Sequence, residues 1–140
     1  MTKVRLRWLL CLLLTGAGPA LADDLPDCID PQDQYSMTYC AGVDYDNADA
    51  DLNALWPEAV AAAKRQDEYI AEDARSRGVP TAFEALRTAQ RAWLKFRDAE
   101  CEYQSYAFFG GTGQSMVGSA CLAQLTRDRI DQLREGLTDR

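Results

Sequence analysis

Four cysteines, Cys28, Cys40, Cys101 and Cys121, follow a short apolar N-terminal run, and they restrict what this chain can fold into more than any other feature. The run spans Trp8 to Leu14 after a basic start of Lys3, Arg5 and Arg7. Gly16, Gly18 and Pro19 interrupt it, and Ala20-Leu21-Ala22 offers small residues where a signal peptidase reads. The pattern predicts a signal peptide over residues 1–22. It is too short and too broken for a membrane anchor, so no stable membrane insertion is expected after cleavage. Cys11 lies inside the apolar run and reads as part of the leader. Export places the remaining chain in the periplasm or outside the cell, where an even set of cysteines becomes disulfides. The rival is a four-thiolate metal site. It would need closely spaced cysteines or histidines, and the chain has no histidine.

The periodicity of the rest is helical. Residues 23–33 form an acidic arm with Pro26 and Pro31, and Asp30-Pro31 resembles a helix start. Met37, Ala41, Ala48, Leu52, Leu55, Ala59 and Ala62 recur at spacings of three, four and seven, which draws one apolar stripe. Pro57 inside it predicts a kink or break near Trp56. The helical pattern resumes to about Arg75, and Gly78-Val79-Pro80 ends it. Thr81 and Glu84 form a capping box for a second helix, whose expected buried face is Phe83, Leu86, Ala89, Trp93 and Phe96. That helix should reach about Tyr106. Gly110-Gly111-Thr112-Gly113 makes a turn, and a last helix follows from about Gln114 to Leu137. No segment alternates with period two. The expected fold is all-α: one domain over residues 23–140, a small antiparallel bundle of three to four helices stapled by two disulfides.

The layout selects the cysteine pairs. In a hairpin turning at Gly110-Gly111, residues whose numbers average about 111 face each other. Cys101 and Cys121 meet that condition, which leaves Cys28 to tie the arm to Cys40. Each bridge closes a short loop and should stabilise by about 3 kcal/mol on the chain-entropy model.

Charge and composition exclude several functions. The chain has net charge −7; removing the leader, with three of the 15 basic residues and none of the 22 acidic ones, brings it to −10. Such a surface repels nucleic acid and anionic lipid and favours a basic protein partner. The run Asp44-Tyr45-Asp46-Asn47-Ala48-Asp49 suggests a calcium loop, but no register supplies the sixth-position Gly and twelfth-position Glu that such a loop needs. No histidine is present to serve as a base, and oxidised cysteines cannot act as nucleophiles. Paired carboxylates could cleave glycosidic bonds, but with 22 acids a suitably spaced pair arises without meaning. No catalytic residue, cofactor or metal is expected, and the chain does not read as an enzyme.

Two segments stand out. In Gln90 to Cys101, Trp93 and Phe96 share a face with Gln90 and Arg97 beside them. This is either a basic aromatic contact patch or, the reading preferred here, a core helix. A buried Arg97 then needs an acidic partner across the bundle, Asp49 or Asp51. The second segment is Phe108-Phe109-Gly110-Gly111-Thr112-Gly113. Its aromatics either tuck beneath the helix ends, the ordinary outcome, or stand at a tip that inserts into a partner.

Several spaced motifs cover most of the chain beyond the leader. They are Gln34-x-x-Met37-Thr38-x-Cys40-Ala41, Ala48-Asp49-x-x-Leu52-Asn53-x-x-Trp56, Gln90-Arg91-x-Trp93-x-x-Phe96-Arg97-Asp98-x-x-Cys101, Gly110-Gly111-Thr112 and Cys121-x-x-x-Leu125-Thr126-x-x-Arg129. The set resembles the LprI-like family of exported bacterial proteins, named for a lysozyme inhibitor. Trp56 stands where a Tyr is common, and the lipoprotein cysteine of the namesake is missing. The resemblance implies a helical, exported, disulfide-bonded protein and a lysozyme as candidate partner. It marks Asp49, Asn53, Gln90, Trp93, Arg97 and Asp98 as structural motif residues and carries over no inhibitory residue. The expectation is a periplasmic lysozyme inhibitor, with Phe109, Gly110, Gly111, Thr112 and Gly113 as the candidate partner-binding loop. An envelope scaffold without that activity is the alternative, and a carboxylate-based cell-wall hydrolase stands behind both.

Overall fold

The computed structural model describes residues 25–138; the predicted leader lies outside them. Its helices are α1 over Gln34–Arg77, α2 over Ala82–Ser105 and α3 over Gln114–Thr138, with one 3-10 turn at Tyr106–Phe108. No strand occurs among the described residues. Asp49 of α1 meets Arg97 of α2, and Asp67 meets Ala82, so these two helices run antiparallel. Cys101 meets Cys121, and Gln90 meets Arg129, so α3 turns back again. Gln34 touches Met116 and Asp44 touches Arg127, which sets α3 parallel to α1.

Each helix end has a local cause. Asp33 is extended and accepts from Ser36 N at 2.9 Å, so α1 starts three residues after the expected Asp30-Pro31. Gly78, at φ 65°, closes α1: its N–H donates to Arg75 O, and Val79 N donates to Ala74 O. That paired closure needs a left-handed residue, which glycine adopts without strain. Thr81 and Glu84 form the expected capping box. Asp67 adds a second anchor from α1, accepting from Ala82 N at 2.7 Å and Phe83 N at 3.2 Å. A carboxylate there also complements the positive end of the α2 dipole.

The break expected at Pro57 does not occur. α1 runs unbroken through it for 44 residues, about 66 Å at the standard rise. Pro57 and Asn53 are both exposed, so water can serve the carbonyl that loses its partner. Leu52 and Ala59, on either side, are both buried in the core and hold the helix in line.

The core is thin. Leu52, Ala59, Ile130 and Leu133 form its centre, with Leu55, Trp56, Leu86 and Trp93 packed around them. Alanines dominate the rest of the buried face of α1, at Ala48, Ala62, Ala63 and Ala74. Small side chains let the helices approach closely. On α2 the expected face is corrected. Gln90, Arg97, Cys101 and Ser105 point inward, while Ala89 is exposed and Phe96 is 54% exposed. Arg97 takes the inward place, and Phe96, one residue earlier, lies about 100° round the helix. Two bridges, Cys28–Cys40 and Cys101–Cys121, are the pairs that the hairpin layout selects.

Candidate functional site

The motif residues meet in one polar layer across the bundle. Arg97, only 5% exposed, donates from Nη1 to Asp49 Oδ1 at 3.1 Å and to Thr126 Oγ1 at 3.3 Å. Its Nε donates to Asp98 Oδ1 at 2.9 Å. Tyr45 and Trp93 rings lie 5.4 and 5.2 Å from the guanidinium carbon. Burial opposes the charge on Arg97, but Asp98, Tyr45 and Asp49 outweigh it and hold its pKa above the ordinary value. Of the two expected partners, Asp49 makes the contact. Asn53 steadies it, donating to Asp49 Oδ2 at 2.9 Å. Gln90 accepts from Arg129 Nε at 3.0 Å, and the Arg129 guanidinium carbon also lies over the Trp93 ring, 5.9 Å from its centroid. Every buried side-chain nitrogen and oxygen described has a partner. Arg97 and Thr126 at the centre of the layer are closed to solvent, while the carboxylates of Asp49 and Asp98 reach the surface.

The glycine turn is built differently. Phe109 at φ −53°, ψ 125° and Gly110 at φ 74° are the central residues of a type II turn, closed by Gly111 N donating to Phe108 O at 2.8 Å. The third position of that turn needs positive φ, which selects glycine. Gly110 N donates to Gln114 Oε1 at 2.9 Å, which ties the turn to α3. Gly113 is buried because the Phe108 ring lies against it; an added Cβ would meet Phe108 Cδ1 at 3.3 Å. The ordinary expectation of tucked aromatics is corrected here. Phe109 is 77% exposed and Phe108 52%. Tyr106 meets Phe109 edge to face at 5.4 Å, and Tyr103 is exposed one turn earlier. Together they make an aromatic tip.

Below the tip, α2 and α3 enclose a groove of about 430 Å³. Asp98 and Glu102 stand on its α2 side, and Ser115, Gly118 and Ser119 on its α3 side. Glu102 also accepts from the Tyr106 hydroxyl at 3.1 Å, and this contact raises the Tyr106 pKa.

The expected patch missed a feature that the fold reveals. No Lys or Arg occurs from residue 25 to 63 or from 98 to 126. These two stretches pack beside each other at the tip end, where Gln34 touches Met116. Arg97 is buried, and Arg127, at the boundary, is paired with Asp44. The tip half of the bundle therefore presents acids and aromatics, and the free cations lie toward the other end. The two basic-free stretches were legible in the sequence, but only the parallel packing of α1 and α3 brings them together.

Among the described residues, no cluster of three or more acids or cysteines could hold a metal ion, and no helix is long and apolar enough to cross a membrane. No solved structure matches the chain. An uncharacterized protein of Rhizobium meliloti (strain 1021) is 41% identical over 128 residues, covering 90% of each chain. The family described as lysozyme inhibitor LprI matches residues 28–133, which include both disulfides, the Arg97 layer and the aromatic tip. This chain belongs to the LprI lysozyme-inhibitor family.

Proposed function

We propose that this protein is an exported inhibitor that binds a basic lysozyme through its aromatic tip. The observation that carries the reading is the exposure of Phe109 on the half of the bundle that lacks free cations. Acidic flanks steer a strongly basic partner toward that end and raise the encounter rate. Short-range affinity would come from Phe109 and Phe108 entering the partner's cleft, with the type II turn holding them rigid. The groove beside Asp98 and Glu102 suits a lysine or arginine side chain from the same partner. Family membership supports this reading, and two disulfides suit an oxidising compartment.

Titration of the purified protein into a cell-wall lysis assay tests it. Inhibition should saturate and weaken as salt is raised. Unchanged lysis at large molar excess would remove the reading. It would favour an envelope scaffold that uses the same tip on another basic protein.

A further inference from the structure

At the far side of the Arg97 layer, Arg129 is a half-buried cation that lacks a countercharge. Its Nε donates to Gln90 Oε1 and its Nη1 to Gln132 Oε1, each at 3.0 Å, and both acceptors are neutral amides. Arg97, the buried guanidinium, has Asp49 and Asp98 as carboxylate partners, and even the exposed Arg127 has Asp44. No carboxylate lies within 4 Å of Arg129 among the described residues. Burial lowers its pKa, so the site works against the charge it holds. A half-buried cation with no anion in reach among the described residues is costly.

Arg129 and Gln132 border a cleft of about 190 Å³ between α1, α2 and α3. Its other walls are apolar: Ala59, Ala62, Leu86, Leu133 and Leu137. Ala62 and Leu137 also line an adjoining hollow of about 430 Å³, whose other walls are Arg65, Gln66 and Tyr69. A fixed cation beside a mainly apolar cleft matches one ligand chemistry, an anionic head on an aliphatic tail. With Nε and Nη1 held by the two amides, Nη2 makes no hydrogen bond among the described residues and is left to donate to a carboxylate head.

We infer that this cleft binds a small aliphatic monocarboxylate, its head on Arg129 and its tail along Ala62 and Leu137. The site lies apart from the aromatic tip and does not depend on lysozyme binding.

Hexanoate is the probe, titrated into the purified protein while the leucine methyl resonances are followed by NMR. Saturable shifts at Leu133 and Leu137 are expected, and hexanol, with the same tail and no charge, should shift them at least about tenfold more weakly. Gln132→Glu puts an internal carboxylate on Arg129 with little change of shape and should weaken hexanoate binding by about tenfold or more. Arg129→Gln should do the same; if it fails to fold, Gln132→Glu decides alone. Absence of a saturable shift, equal binding of hexanol, or undiminished binding by Gln132→Glu would each overturn the inference.

Discussion

Arg97 Nη1 lies 3.1 Å from Asp49 Oδ1, 48 residues away in sequence, and this contact joins α2 to α1 at the middle of the bundle. The arginine is almost wholly buried while the Asp49 side chain is 37% exposed, so the two ends of the pair differ in energy. Removing the buried end takes with it contacts to Asp98, Thr126, Tyr45 and Trp93. Arg97→Ala should destabilise by about 3–5 kcal/mol, whereas Asp49→Asn should cost about 1 kcal/mol, because solvent screens the exposed carboxylate and the amide keeps a hydrogen bond. Arg97→Lys should recover little of the loss, since an ammonium cannot serve three partners in a planar fork. Urea denaturation of the three variants measures the order.

Pro57 lies on the solvent face of an unbroken helix and removes one backbone hydrogen bond. Pro57→Ala should therefore stabilise by about 1–3 kcal/mol and leave the fold unchanged. A higher thermal midpoint with the same helical dichroism is the expected result. A fall in stability would mean that the proline sets a bend the packing requires.

The two bridges close loops of 12 and 20 residues. Replacing either pair by Ala should cost about 3 kcal/mol, and more at Cys101–Cys121, because Cys101 is 1% exposed and leaves a void. Denaturation of each double variant, beside the reduced native protein, separates the two effects.

Tyr45 gives a pH signature. Burial raises its pKa; Arg97 opposes that rise, and Asp49, Asp98 and Asp46 reinforce it. A raised folded value means that the fold favours the neutral phenol. The stabilisation is complete below the unfolded value of about 10 and is lost as pH rises through the folded value. Between about pH 9 and pH 11 the native protein should lose more stability than Tyr45→Phe. Parallel losses in the two proteins would show that another group governs the alkaline limb.

Phe109→Ser tests the tip. The side chain is 77% exposed, so stability should change by less than about 0.5 kcal/mol. Lysozyme inhibition should weaken by about tenfold or more. Equal inhibition by the variant would move the contact surface elsewhere on the bundle.

The elements themselves were readable from local chemistry. The Thr81–Glu84 capping box, the Gly78 stop and the Gly110-Gly111 turn each depend on neighbours within a few residues, and the structure has all three. The turn also fixed which cysteines meet. Local chemistry misled at Pro57, where the outcome depends on which way the missing hydrogen bond faces. It misled again at Phe96, because apolarity alone does not decide the inward direction when Arg97 brings better partners.

What the chain determined by itself was its period, its caps, its oxidised pairs and its excess of acid, since each is set by residue type at short spacing. The tertiary structure decided what no short window contains. Among the described residues, it set the parallel register of α1 and α3 that leaves one end without unpaired cations, the outward place of Phe109, and the lack of a carboxylate within 4 Å of Arg129. Those are properties of surfaces formed by segments far apart in sequence, and they exist only once packing has brought the segments together.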